Sequence, residues 1–243
     1  MDTRLQNEIE HGKYLASHDA GEIWGWQTSA GRVRWQRRVK MLVSNLRPGM
    51  QVLEVGCGSG YFTQELARTG AHIVAIDISP ELLAQARDKV RAGNVTFLEE
   101  NAYATTFEAE SFDAAVGSSV LHHLDLERGL AELHRVLKPG ATVQFTEPNM
   151  MNPQIAMQKN VSWVKRRMGD SPDETAFFRW RLRRRLTARG FDRATIVPFD
   201  FLHPSVPGPL VSLVGKLGEL AESLPLVREI SGSLHITARR SDR

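Results

Sequence analysis

The 243-residue sequence predicts an α/β protein built on a largely parallel sheet. Apolar, β-branched runs alternate at short intervals with segments of helical periodicity. One run, "VLEVGCGSG" at residues 52–60, stops at three alternating glycines, as a buried strand does when it turns sharply into a helix. Another, "AIDIS" at 75–79, ends in an acid and is followed by the helix start Ser79-Pro80.

The elements follow in order. Strands are expected at 51–55, 72–77, 95–99, 112–117 and 141–147, and helices at 60–69, 80–91 and 127–137. "KPG" at 138–140 should end the third of these helices and turn the chain into the next strand. Beyond Glu147, "PNMMNP" reads as a loop, 173–190 as a helix ending at Gly190, 193–201 as a strand and 233–240 as a last strand. Between those two strands, Leu210, Leu213, Val214, Leu217, Leu220, Ala221 and Leu224 fall on one stripe, so 208–224 should be an amphipathic helix.

At 42% hydrophobic and 24% charged residues, the chain is expected to form one globular domain. A single cysteine, Cys57, excludes an internal disulfide and a thiol metal site; no metal is expected. Residues 1–26 lack the basic start and apolar core of a secretory signal. The apolar stretch 206–227 is interrupted by Lys216, Glu219 and Glu222, so a cytoplasmic location is expected. The net charge of +3 is divided unevenly, with 15 basic against 19 acidic residues in 1–150 and 16 against 9 in 151–243. Arg179–Arg185, together with Lys165, Arg166 and Arg167, could present a solvated face or meet an anionic substrate or membrane surface. Nucleic acid is not expected, because no aromatic stacking platform accompanies these arginines.

The glycine loop argues for a particular ligand. A dinucleotide fingerprint needs a third glycine where this chain has Tyr61, which weakens a pyrophosphate reading. Glu54, two residues before Gly56, would repel phosphate and favour a cationic group. Asp77 ends the second strand, where a carboxylate can accept both ribose hydroxyls. A ribose without phosphate that carries a cationic amino acid describes S-adenosylmethionine.

Four ordered segments, "VLEVGCGSG", "AIDIS", "FDAAVGSSVLHHL" and "HRVLKPGATVQF", make residues 45–150 resemble a class I S-adenosylmethionine-dependent methyltransferase. The group resembled includes the ubiquinone and menaquinone biosynthesis methyltransferases. The resemblance implies a Rossmann-like sheet of order 3-2-1-4-5-7-6 with strand seven antiparallel. Residues 1–47 would form an N-terminal helical cap, 48–150 the cofactor-binding core, and 151–243 the substrate-side elements with a helical insertion between strands six and seven. Glu54, Gly56, Cys57, Gly58, Gly60, Asp77, Ile78, Asn101, Ala102 and Ser118 would then bind the cofactor. Asn101 stands where the family usually has an acid that accepts from the adenine amino group; an amide oxygen can accept the same bond, or the residue can be a plain turn asparagine.

For catalysis, strands four and five would set His122 and His123 beside Glu147. One imidazole, His122 by preference, could act as general base with Glu147 orienting it or binding substrate, unless the pair merely packs the loop. Trp24, Trp26, Met150, Met151, Met157, Trp163 and His203 are candidate walls of the acceptor pocket. The expectation is methyl transfer to a small-molecule or lipid-linked acceptor, at oxygen. A carbon or nitrogen acceptor and a non-catalytic cofactor-binding module are the alternatives, and the oligomeric state is open.

Overall fold

Strand β1 (Gln51–Val55) sends Val52 to one face of the sheet and Leu53 and Val55 to the other, and both faces are buried. This arrangement repeats along a computed structural model that describes residues 3–18 and 20–242. Three helices precede the sheet, α1 (Thr3–Ala16), α2 (Ala20–Ile23) and α3 (Ser29–Val43). After β1 come α4 (Thr63–Ala67), β2 (His72–Asp77), α5 (Pro80–Lys89), β3 (Val95–Glu99), β4 (Phe112–Ser118), α6 (Leu126–Val136) and β5 (Leu137–Pro148). The chain continues through α7 (Pro153–Asn160), α8 (Ser162–Arg167), α9 (Arg179–Ala188), β6 (Phe191–Phe199), α10 (Val211–Ser223) and β7 (Ser233–Arg240).

Among the described residues the strands form one sheet in the order β3-β2-β1-β4-β5-β7-β6. Pairing is parallel up to β5, and β7 runs antiparallel to both β5 and β6. The expected order is the observed one. One core packs Leu42, Leu66 and Leu83 from α3, α4 and α5 onto Val52, Ile73 and Val116. The other packs Leu130, Leu133, Leu182 and Leu186 from α6 and α9 onto Leu53, Val143 and Phe145. Local signals act as read: Ser79 Oγ accepts from Leu82 N at 3.2 Å to cap α5, and Asp125 caps α6.

Four elements depart from the sequence reading. The helix expected over 60–69 is cut to Thr63–Ala67, because the glycine loop continues into the preceding turn. "KPG" lies within β5 as a bulge opposite Phe112 and Ala114 rather than as a separate turn. Residues 173–178 are not helical: Phe177 N donates to Pro148 O at 3.1 Å and Met150 N to Phe177 O at 3.0 Å, so tertiary pairing pulls the segment straight and α9 starts at Arg179. The helix expected at 208–224 forms as α10, and its leucine stripe faces solvent. No helix among the described residues is long and apolar enough to cross a membrane.

Candidate active site

The carboxyl ends of β1, β2 and β4 open into a cavity of about 450 Å³, closed on its far side by α1, α2 and α3. The loop after β1 supplies its floor. Gly56 and Gly58 both take positive φ, +66° and +52°, but for different reasons. A Cβ on Gly56 would lie 2.4 Å from Val120 Cγ2, whereas one on Gly58 would meet no atom within 4 Å. The open side of the loop is therefore at Gly58. Asp77 ties this loop to the end of β2, accepting from Gly58 N at 2.8 Å and Ser79 N at 3.0 Å. Burial raises the Asp77 pKa, and the amide donors oppose that shift.

These residues fit S-adenosylmethionine. Gly58, Cys57, Asp77, Ile78, Asn101, Ala102 and Ser118 line the cavity. The buried Ser59 hydroxyl, at the same wall, has no hydrogen-bond partner among the described residues. Asp77 retains lone pairs for ribose hydroxyls. Glu54 and Gly60 stand off the cavity wall, and Asn101 lies on it. The Glu54 side chain is enclosed behind the glycine loop, off the cavity wall, and burial, with Asp77 nearby, pushes its carboxyl up to about 8, which favours the neutral acid. Asn101 Oδ1 already accepts from Tyr103 N at 3.0 Å, an Asx turn that shapes the loop as well as lining the cavity. Gly60 is also absent from the wall; a Cβ there would press within 3.4 Å of Ala86 in α5, so it serves close packing. Buried Cys57 has its thiol pKa pushed up by burial and is unreactive as a nucleophile.

The loop after β4 is fixed from beneath by Glu147. Its carboxylate accepts from Val120 N at 3.0 Å, Leu121 N at 2.8 Å, His122 N at 3.3 Å and His122 Nδ1 at 2.7 Å. Glu147 does not line the cavity; its hydrogen bonds go to the loop that carries both histidines. His122 is held at both nitrogens, since Nε2 lies 3.2 Å from Glu174 Oε1. Burial alone would expel its proton, but the two carboxylates outweigh burial and push the ring up to about 9. His122 also lines the cavity, but with a carboxylate at each ring nitrogen it has neither nitrogen turned freely toward an acceptor.

His123 is differently placed. It lines the cavity, and its Nδ1 lies 2.9 Å from Glu8 Oε2, though out of line for a hydrogen bond as placed. Burial raises the Glu8 pKa, but His123 and the Ser171 hydroxyl more than offset it, so the carboxylate is ionised. His11 stacks on His123 with ring centroids 5.5 Å apart, and its pKa is lowered chiefly by burial. Glu174 pairs with Lys159 and His122, which hold its carboxyl well below the usual range despite burial. His11, His123 and Glu174 bring three donor atoms within 4.8 Å of one another. Lys159 and the His122 imidazolium already neutralise the one carboxylate of that set.

Glu8, His11, Lys159 and Glu174 were not singled out from the sequence. Glu8 and His11 lie in the segment read as the N-terminal cap, Lys159 in the substrate-side elements after strand five, and Glu174 in a segment read as helix. Of the expected acceptor walls, Trp24 and Trp26 line the cavity, whereas Met150, Met151, Met157, Trp163 and His203 do not. No α9 residue reaches it; Arg185 and Arg189 pair with Glu127, and Arg179 with Glu229.

A sheet of this order, parallel up to β5 with β7 antiparallel, and with an acid at the end of β2 cradling a glycine loop, defines the class I methyltransferase architecture. The methyltransferase domain family matches residues 53–145. The chain is 30% identical over 160 residues to a demethylmenaquinone methyltransferase of Thermobifida fusca, covering 61% of this chain and 68% of that one. It is 40% identical over 114 residues to a ubiquinone biosynthesis O-methyltransferase of Hahella chejuensis, covering 44% and 46%. The structure superposes on a putative Haloferax volcanii methyltransferase, solved in complex with the Trm112 methyltransferase activator, with TM-score 0.71, 19% identity and coverage of 97% and 98%. The chain belongs to the class I S-adenosylmethionine-dependent methyltransferase family. It spans about half the length of the first curated relatives it matches.

The two raised pKa values fix the sign of a pH effect on stability. His122 and Glu54 both hold protons more tightly folded than unfolded, so their contributions are complete below the unfolded values of 6.5 and 4.5 and are lost as pH rises through about 9 and about 8. The His122 share is on the order of 3 kcal/mol. The unfolding midpoint should therefore fall between about pH 6.5 and 9. Glu54→Gln, neutral at every pH, should lessen that fall. A flat profile in thermal denaturation would contradict the imidazolium assignment.

Proposed function

We propose that the protein transfers the methyl group of S-adenosylmethionine to a hydroxyl of a small-molecule or lipid-linked acceptor. The observation that carries this reading is the His123 and Glu8 pair on the wall of the same cavity that the Gly58 and Asp77 cradle lines. The cofactor supplies a methyl already activated by its sulfonium, so the protein has to align the acceptor and exclude water.

Asp77 holds the ribose, and the glycine loop takes the amino-acid end. Trp24, Trp26 and Tyr14 wall the acceptor space with aromatic surface. Glu8 faces His123 Nδ1, which leaves Nε2 free to take the hydroxyl proton as the oxygen is alkylated, and the Glu8 carboxylate stabilises the resulting imidazolium. The His122 and Glu147 pair keeps the loop that carries His123 in place.

Asp77→Ala should weaken cofactor binding by about ten- to hundredfold, since hydrogen bonds to a charged group are worth roughly 1.5–3 kcal/mol. Calorimetry reads this directly, and unchanged affinity in a folded variant would remove Asp77 from the site. The activity itself is tested by S-adenosylhomocysteine formation over a panel of phenols, sugars and polyprenyl-linked sugars. Cofactor binding without turnover on any hydroxyl, amine or carbon acceptor would instead identify a non-catalytic binding module.

A further inference from the structure

Helix α10 is anchored by one side only. Glu222 pairs with Arg37 of α3 and accepts from Asp200 N at 2.8 Å, and Gly218 lies against Phe201. The leucines lie elsewhere on the helix. Leu210, Leu213, Leu217, Leu220 and Leu224 recur at three- and four-residue steps, and each is 47–62% exposed. Leu226 at 88% and Ile230 at 43% extend the patch into the following turn. Such a continuous aliphatic surface exceeds the scattered exposed side chains normal for a monomer.

We propose that this seam packs on the same seam of a second copy of the chain, about a two-fold axis. Three features select that occupant. The stripe is narrow, with the alternating three- and four-residue spacing of a helix-to-helix seam rather than the broad apolar face of a helix lying in a bilayer. Its exposed charged flank carries Lys216 and Glu219, one of each sign, so it offers neither the basic face an anionic membrane attracts nor a barrier to self-association. Seven large aliphatics provide the apolar centre of an interface approaching the ~800 Å² per partner of a stable dimer. An isologous contact closes on itself, and so leaves no open apolar surface to propagate.

The test is sedimentation of the full chain from low to high micromolar concentration. A dimer is expected, and Leu217→Glu with Leu220→Glu should convert it to monomer while S-adenosylmethionine affinity stays unchanged, since neither residue lines the cavity. Leu217 is the midpoint of the stripe and should meet its own copy. Leu217→Cys should therefore form a disulfide-linked dimer on mild oxidation, free of interference from Cys57, which is buried. A monomer at all concentrations would overturn the proposal, as would a dimer that survives both glutamates. Binding of the monomer to phosphatidylglycerol vesicles, lost in the double variant, would also overturn it and assign the face to lipid.

Discussion

Gly58→Val should bind no measurable S-adenosylmethionine, a loss of more than about a hundredfold, while the protein stays folded. Two effects combine. A β-branched residue resists the +52° φ of this position, at a cost of roughly 1–2 kcal/mol. Its side chain also projects into the open volume facing the cavity, where no protein atom stands within 4 Å of the added carbon. That emptiness makes the result interpretable, because the first added carbon meets nothing in the fold. Gly56→Val is the contrast: its side chain would strike Val120 and should cost folding itself. Calorimetry and a thermal melt on both variants separate the cases, and retained affinity in Gly58→Val would mean that the loop does not touch the cofactor.

His123→Ala should lower turnover by roughly 10²–10⁴ with cofactor affinity nearly unchanged, if the acceptor is a hydroxyl whose proton must be taken. Glu8→Gln should lower it less, because the ring remains but loses the carboxylate that steadies its cation. His122 makes a different comparison. Removing it leaves Glu147 and Glu174 as buried carboxylates without their shared cation, so His122→Ala should reduce the melting temperature before it reports on chemistry. Full activity of His123→Ala between pH 6 and 8 would end the case for a histidine base. The acceptor would then be a carbon or nitrogen, or an oxygen already ionised.

The sheet was legible in the sequence because its strands are buried on both faces and end in residues with one structural use. Asp77, Gly58 and the Ser79-Pro80 cap each state their position locally. The catalytic side was less legible. "LHH" indicated a histidine, but which ring is available depends on where Glu174 and Glu8 arrive, and no local pattern carries that information. Residues 173–178 have helical periodicity, and only pairing of Phe177 with the end of β5 draws them out straight and brings Glu174 under His122. The leucine spacing of α10 marked its helix and its apolar stripe but not what the stripe meets. Periodicity marks an apolar face, whereas what covers that face is a tertiary or quaternary matter.

Helix α1 closes the cavity through contacts that span most of the chain: Asn7 with Asp173, Glu8 with Ser171 and Arg4 with the carbonyl of His123. The sequence separations are 166, 163 and 119 residues, and α1 is made before every one of these partners. While the ribosome is still making β4 and β5, the helix that carries Glu8 and His11 has none of these partners, and the apolar side of the helix must wait. The cradle formed by Gly58 and Asp77 closes over only 19 residues. The contact that cradles the glycine loop is therefore local in the chain, whereas the wall that carries Glu8 and His11 depends on residues 171–173 made much later.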